Sequence, residues 1–178
     1  WLTDAQVQAL TTAQMQALAT DDLQALLTEQ FSLLSGTQLA ALTTAQIVAL
    51  TTDQAGAISA PQLAALTPAQ VAALEIEDLE ELSTTAIQAL TSQQAAALTT
   101  TQVAALTSDQ LPVLTTAAVA ALTTAQIQAL TVDQVPLLTT DQIVALTTAQ
   151  WAAMQTADIA VLETEQIVAI ETADIAAL

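Results

Sequence analysis

The chain of 178 residues contains no cysteine, histidine, lysine or arginine. Without cysteine, disulfides and thiolate sites are excluded. Without basic residues the formal charge of −18 is uncompensated, which excludes binding to the phosphate backbone of nucleic acids and attraction to anionic membranes. Carboxylates are the one remaining candidate for a general base at neutral pH, and serine and threonine have no activating base. We therefore expect no enzymatic function.

One octapeptide is repeated through the whole chain without an insertion or deletion, and residues 42–49 (L-T-T-A-Q-I-V-A) are a clean copy. With the leucine as position 1, that position departs from leucine only at Ile58, Met154 and Ile170. Position 6 is always apolar, position 5 is mostly glutamine and position 8 mostly alanine. A fixed period of this kind predicts a repeat architecture.

Each octad carries the signature of a helix start. Threonine at position 2 followed by glutamine at position 5 is a capping box, in which each side chain bonds the main-chain amide of the other residue. Eight residues of continuous helix turn through roughly 800°, so successive leucines would drift by about 80° and form no stripe. We therefore predict one short helix per octad, beginning near position 3 and followed by a bend.

The four prolines fit this short helix. Pro61 and Pro68 fall in the first turn, where a missing amide donor costs little. Pro112 and Pro136 occupy position 7, so we expect the helix to end by about position 6 in those octads. Because isolated helices shorter than about 12 residues are marginal in water, neighbouring repeats must stack on one another.

Departures from the consensus recur every 24 residues. Serine replaces threonine at position 2 only at Ser35, Ser59 and Ser83, and Pro112 and Pro136 keep the same step. The spacing predicts an all-α solenoid with three octads per coil, although duplication of a 24-residue genetic unit would give the same pattern.

A three-sided β-solenoid is the alternative fold, because threonine, valine and isoleucine favour strands. Two glycines, Gly36 and Gly56, are few for its tight corners. The strongly apolar positions 1 and 6 are also an odd number of residues apart, which would place them on opposite faces of a strand. These features favour the all-α solenoid.

Residues 1–178 are predicted to form a single uninterrupted repeat domain, since no linker or change of composition divides them. Uncharged runs such as residues 82–108 exceed the thickness of a bilayer, but threonine and glutamine in every octad argue against membrane insertion. Both ends fall inside the repeat rhythm. We therefore expect a fragment of a longer array, which continues in the same chain or associates end to end with another copy.

Sixteen of the eighteen acidic residues lie at positions 2 to 5, where a carboxylate meets the positive end of a helix dipole. Those at position 4 tend to recur 24 residues apart and would stack as ladders that repel one another unless bridged. Calcium prefers several oxygen ligands and is the candidate cation. The candidate metal ligands are Glu29, Asp53, Glu77, Asp109, Asp133, Asp141 and Glu165.

The octad at residues 74–81 is the most acidic, with Glu75, Glu77, Asp78, Glu80 and Glu81. Its charges are interpreted either as a solvated, self-repelling face or as a cation or partner site. Among the aromatic residues, Phe31 and Trp151 occupy position 6 and are expected to fill the core, and Trp1 is expected to pack on a preceding repeat.

The octad L-T-T-x-Q-[I/V/L]-x-A, seen at residues 42–49, 122–129 and 146–153, resembles octapeptide arrays of very large repetitive bacterial surface or secreted proteins. The resemblance covers the whole chain and implies an extracellular or cell-surface stalk, fibre or adhesin segment with no catalytic residues. The alternative is a repeat scaffold that binds a protein partner or divalent cations through its exposed positions.

Overall fold

A computed structural model describes residues 2–170 and 172–175 of the chain. This part consists of short helices joined by turns and contains no strand. The predicted all-α class is therefore confirmed, and the β-solenoid alternative has no support. The chain falls into two compact units, Trp1–Ala89 and Leu90–Leu178, each built of uninterrupted octads. A single domain over residues 1–178 stays a prediction.

The helices of the first unit have five or six residues, as expected for about one and a half turns. They are α1 Asp4–Gln8, α2 Thr12–Ala17, α3 Thr20–Gln24, α4 Thr28–Ser32, α5 Gly36–Ala40, α6 Thr44–Val48, α7 Thr52–Gly56, α8 Ala60–Ala65, α9 Pro68–Ala72, α10 Ile76–Glu81 and α11 Thr84–Gln88.

The second unit contains α-helices of similar length and two 3₁₀ helices, η1 and η2. Its elements are α12 Ser92–Ala97, α13 Thr100–Ala105, η1 Leu111–Val113, α14 Thr116–Ala121, α15 Thr124–Gln128, η2 Val135–Leu137, α16 Thr140–Ala145, α17 Thr148–Ala153, α18 Thr156–Ala160, α19 Thr164–Ala169 and α20 Thr172–Ile175.

The α-helices begin at position 3, as the capping pattern predicts. In α6 the main-chain amide of Gln46 donates to the hydroxyl of Thr43 at 3.2 Å, and the amide of Thr43 donates to Oε1 of Gln46 at 2.8 Å. Thr43 is extended, with φ −73° and ψ 159°, so the chain turns sharply into each new helix. These bonds satisfy amides that otherwise lack an intrahelical partner.

The octads with proline at position 7 differ from the expectation that their helix ends by position 6. Residues 108–110 form a turn, and the 3₁₀ helix η1 then runs through Pro112 to Val113. Proline removes one donor from an α-helix. The amide of Leu111 still bonds the carbonyl of Thr107 at 3.0 Å, and that of Leu114 bonds Leu111 at 3.3 Å. The turn therefore tightens around Pro112 and continues to position 8.

Helices three octads apart pack on one another, which confirms the predicted coil of 24 residues within each unit. In the first unit the packed pairs are α2 with α5, α3 with α6, α4 with α7, α5 with α8, α6 with α9, α7 with α10, and α8 with α11. In the second unit they are α12 with α14, α13 with α15, α14 with α16, α15 with α17, α16 with α19, and α17 with α20. Genetic duplication alone would not require this stacking.

Positions 1 and 6 form the core, as their apolar character predicts. Every position-6 side chain from Val7 to Trp151 is at most 1% exposed. Every position-1 side chain from Leu26 to Leu162 is also buried. Burying a leucine or isoleucine contributes roughly 1.5–3 kcal/mol relative to leaving it exposed, so the stabilisation accumulates octad by octad.

Among the described residues, no helix combines the length and the apolar character needed to cross a bilayer.

Candidate functional site

The position-5 glutamine joins each helix to an earlier coil, and Gln46 illustrates the geometry. While its Oε1 accepts from the cap amide of its own helix, its Nε2 donates to the carbonyls of Met15 and Leu18, both at 2.8 Å. These acceptors lie 31 and 28 residues earlier in the chain. Because Gln46 is only 3% exposed, the bonds form away from water.

The same bond from Nε2 to carbonyls 28 to 31 residues earlier recurs in both units, and we call the set the glutamine ladder. Its members include Gln30, Gln38, Gln46, Gln54, Gln62 and Gln70 in the first unit, and Gln126, Gln134, Gln142, Gln150 and Gln166 in the second. Each intramolecular hydrogen bond contributes about 0.5–1.5 kcal/mol net. The ladder can therefore fix the register of stacked coils in addition to capping single helices.

The seven candidate metal ligands at position 4 all point to the surface, because each of the seven side chains is exposed. Across the part of the chain that the structure describes, no three acidic side chains come together in a group that could hold a metal ion. A calcium site would therefore need main-chain or threonine oxygens as additional ligands. Calcium binding by these acids stays a prediction.

The acidic octad at residues 74–81 divides into two environments. Glu75, Glu77, Glu80 and Glu81 are exposed, whereas Asp78 is only 3% exposed. Asp78 stands at position 5, the ladder position, and its Oδ2 atom is buried without a hydrogen-bond partner. Burial, together with the smaller effect of the negative charges on Glu75 and Glu77, raises the pKa of the Asp78 carboxyl to about 6.

Asp158 also replaces glutamine at position 5 and is 2% exposed, but its neighbourhood differs. Its Oδ2 accepts from the main-chain amide of Gln155 at 3.3 Å. The side chain of Gln155, at position 2, donates through Nε2 to the carbonyl of Gln128 at 2.7 Å. In this octad a side chain at position 2 makes an exposed inter-coil bond, and its acceptor differs from the position-6 and position-1 carbonyls that accept from the position-5 glutamines.

The aromatic side chains at position 6 fill the core, as predicted. Phe31 is fully buried, and Trp151 is 1% exposed. The indole Nε1 of Trp151 is buried and has no hydrogen-bond partner among the residues that the structure describes. The prediction for Trp1 lies outside the described residues.

A groove at the start of the first unit has a volume of about 490 Å³. Its walls include the position-1 side chains of Leu2, Leu18 and Leu26 and the side chain of Gln6. Leu2 is 38% exposed, whereas the position-1 side chains from Leu26 to Leu162 are buried. The groove therefore presents position-1 leucines that are less buried than their counterparts further along the chain.

The capping role of the position-5 glutamine was predicted from the sequence, but its bond to an earlier coil was not. One signal was available in the residue type. A side-chain oxygen is sufficient for the capping bond at position 5. Glutamine, which is the usual residue there, also has an amide donor that the cap does not use, and this extra donor points to a second partner. The burial of Asp78 follows from the same rule, because position 5 faces the preceding coil and position 4 faces solvent.

The ALTTAQ repeat family model matches residues 16–52, 37–68, 71–108 and 103–140, which leaves only residues 69 and 70 unmatched between 16 and 140. The hexapeptide A-L-T-T-A-Q itself occurs at residues 41–46 and 121–126 within the matched region, and also at residues 9–14 and 145–150 outside it. No curated protein matches the chain. The resemblance to octapeptide repeat arrays is thus confirmed, and the chain belongs to the ALTTAQ repeat family.

Proposed function

We propose that the chain is a structural segment, a stalk or filament-forming part of an extracellular or cell-surface bacterial protein. The observation that carries the proposal is the repeated contact between coils, which combines the buried positions 1 and 6 with the glutamine ladder. Because each coil offers the next coil the same contact, length can change by whole coils without a new interface. A stalk or fibre needs this property more than a binding site.

The surface composition supports a role outside the cell. The exposed positions repeat threonine, alanine and glutamine, and the charge of −18 opposes lateral aggregation. The absence of lysine and arginine removes every cleavage site of trypsin-like proteases. A monotonous surface without cleavage sites for trypsin-like proteases suits a spacer, and the proposed role is non-catalytic.

We further propose that the partner of the first and last described coils is the repeat itself, either as further octads of the same chain or as a second copy. Ile167 and Ile175 at position 6 are 52% and 54% exposed, whereas the same position is buried from Val7 to Trp151. They offer apolar side chains of the kind that a groove lined by Leu2, Leu18 and Leu26 accepts. A head-to-tail contact that does not close builds a filament.

Electron microscopy and light scattering of the segment test this proposal. We expect rods that lengthen with protein concentration, most clearly at physiological salt, where the acidic surfaces are screened within about 8 Å. The substitution Ile167→Asp should prevent lengthening. The matched control is Val144→Asp, because Val144 is similarly exposed at 49% but stands at position 7, outside the stacking contact. A compact monomer at every concentration would contradict the end-to-end proposal.

A binding scaffold is the second candidate, because the exposed acidic side chains offer a surface for divalent cations or a protein partner. Without any cationic side chain, we expect added salt to raise the melting temperature by screening. Bound calcium should raise it further than sodium chloride of the same ionic strength. The controls are magnesium and a chelator. Equal melting temperatures at low salt, high salt and millimolar calcium would argue against both screening and binding.

A further inference from the structure

The first and last described coils expose different positions of the octad. Val7, at position 6 of the first octad, is fully buried, whereas Ile167 and Ile175 at the same position are 52% and 54% exposed. Position 6 is therefore covered by the coil that follows it. Position 1 behaves in the opposite way, because Leu2 is 38% exposed and Leu162 only 8%. Position 1 is therefore covered by the coil that precedes it.

The glutamines at position 5 of the first coil keep their cap and leave their inter-coil donor unused. Gln6 and Gln14 are exposed, and Oε1 of each accepts from the cap amide of its own helix, at 2.8 and 2.9 Å. In the described part of the chain their Nε2 atoms have no hydrogen-bond partner. One coil later, Nε2 of Gln38 donates to two carbonyls of the first coil at 3.0 and 2.9 Å.

The last described coil carries the acceptors that match these donors. A ladder glutamine donates to a position-6 carbonyl and to the position-1 carbonyl three residues later, as Gln150 does to Val119 at 2.9 Å and Leu122 at 2.8 Å. The corresponding pairs in the last coil are Trp151 with Met154, and Ile159 with Leu162. No side chain of the described residues donates to these four carbonyls.

We propose that the first coil of one copy binds the last described coil of a second copy through the glutamine ladder. Gln6 donates to the first of these carbonyl pairs and Gln14 to the second, because both the donors and the pairs are eight residues apart. The exposed position-6 side chains of one copy meet the exposed position-1 side chains of the other. The inference rests on the structural role proposed above and adds to it the atoms and the direction of the contact.

The ladder gives this contact a single direction. The first coil offers side-chain donors, whereas the last coil offers main-chain acceptors. Two first coils would place donors against donors, and two last coils would place acceptors against acceptors. The contact is therefore heterologous, and each copy binds one partner with its first coil and another with its last.

One side of the first coil lacks a ladder donor. The third position 5 is Asp22, which is exposed and whose carboxylate can only accept hydrogen bonds. It follows Gln14 by eight residues, so it faces the next carbonyl pair, that of Ile167 and Ile170 in the second copy. Two of the three sides of the coil thus contribute ladder bonds, and glutamine at residue 22 would complete the third.

Sedimentation velocity of the complete chain at physiological salt tests the role of the donors. The double substitution Gln6→Glu with Gln14→Glu keeps the capping oxygens and removes both donors. We expect the Kd of self-association to rise on the order of 100-fold, because each lost hydrogen bond weakens binding by about 2- to 10-fold. The matched control, Gln8→Glu with Gln16→Glu, adds the same charge at exposed position 7 of the same helices and should raise the Kd far less.

A mixture of two blocked variants tests the direction of the contact. Ile167→Asp blocks the last coil and leaves the first coil intact, and the Gln6→Glu, Gln14→Glu variant does the reverse. Each variant alone should stay monomeric at concentrations where wild type associates. An equimolar mixture should form a dimer that grows no further. Association of either variant with itself would indicate a symmetric contact and overturn the proposal.

The substitution Asp22→Gln tests the third side by adding a donor. We expect it to lower the Kd on the order of tenfold through the added ladder bonds. Its control is Asp21→Gln, which removes the same charge from the exposed neighbouring position of α3. Equal effects of these two substitutions would contradict the ladder contact.

The behaviour of wild type separates this inference from the proposed structural role. A wild type that stays monomeric at every concentration would contradict both the end-to-end role and the ladder contact. A wild type that associates no better than the Gln6→Glu, Gln14→Glu variant would contradict the ladder contact alone.

Discussion

The substitution Leu39→Ala should lower the free energy of unfolding by about 2–5 kcal/mol, as large-to-small substitutions in close-packed cores do. Leu39 lies in α5, at position 6 of its octad, and its side chain is fully buried. Since α5 packs against both α2 and α8, the cavity would weaken two contacts between coils. Urea unfolding followed by circular dichroism measures the effect as a lower midpoint of the helical transition.

The matched control is Leu27→Ala, which removes the same atoms from a side chain that is 57% exposed. Surface substitutions of this kind usually change stability by no more than about 0.5 kcal/mol. Equal losses from Leu39→Ala and Leu27→Ala would contradict the assignment of position 6 to the core. Each repeat in such an array contacts only its neighbours, so Leu39→Ala should destabilise the first unit more than the second.

The fold was predictable because two independent signals in each octad indicate where a helix begins. One is the capping pair at positions 2 and 5, and the other is the spacing of the apolar positions 1 and 6. The coil of three octads was visible in the serine series, and the structure explains it. Ser35, Ser59 and Ser83 are the N-caps of α5, α8 and α11, which stack on one another. The β-solenoid alternative depended on residue preference alone, and preference is weaker than a capping pattern.

The candidate site was less predictable, because charge patterning does not report which acid faces the preceding coil. Glu77 and Asp78 are adjacent in sequence, yet Glu77 is exposed and Asp78 is buried. Glu77 stands at position 4 and Asp78 at position 5 of the same octad, and this one-residue step decides which side chain is buried. The three-dimensional packing of the coils is needed to see that position 5 faces the preceding coil. Whether the exposed acids bind calcium depends on oxygens from other coils, which the sequence pattern does not place.

The substitution Gln46→Met should lower the free energy of unfolding by about 2–4 kcal/mol, although methionine has a similar length and fits an apolar site well. The expected loss comes from four hydrogen bonds: two from Nε2 to the carbonyls of Met15 and Leu18, and two to Oε1, from the amide and the hydroxyl of Thr43. In the variant the carbonyls of Met15 and Leu18 would stay buried but would no longer have the Gln46 donor. Leaving a buried acceptor without its partner costs more free energy than removing both partners of a hydrogen bond. Urea unfolding and amide hydrogen exchange around Leu18 measure the effect.

The control for this substitution is Gln88→Met, because Gln88 is an exposed glutamine at the last residue of α11. We expect it to change stability by no more than about 0.5 kcal/mol. If Gln46→Met were equally harmless, the ladder would contribute nothing to stacking, and positions 1 and 6 alone would hold the coils together. A large loss for Gln46→Met together with little change for Gln88→Met would assign the stabilisation to the hydrogen bonds of the buried Gln46 side chain.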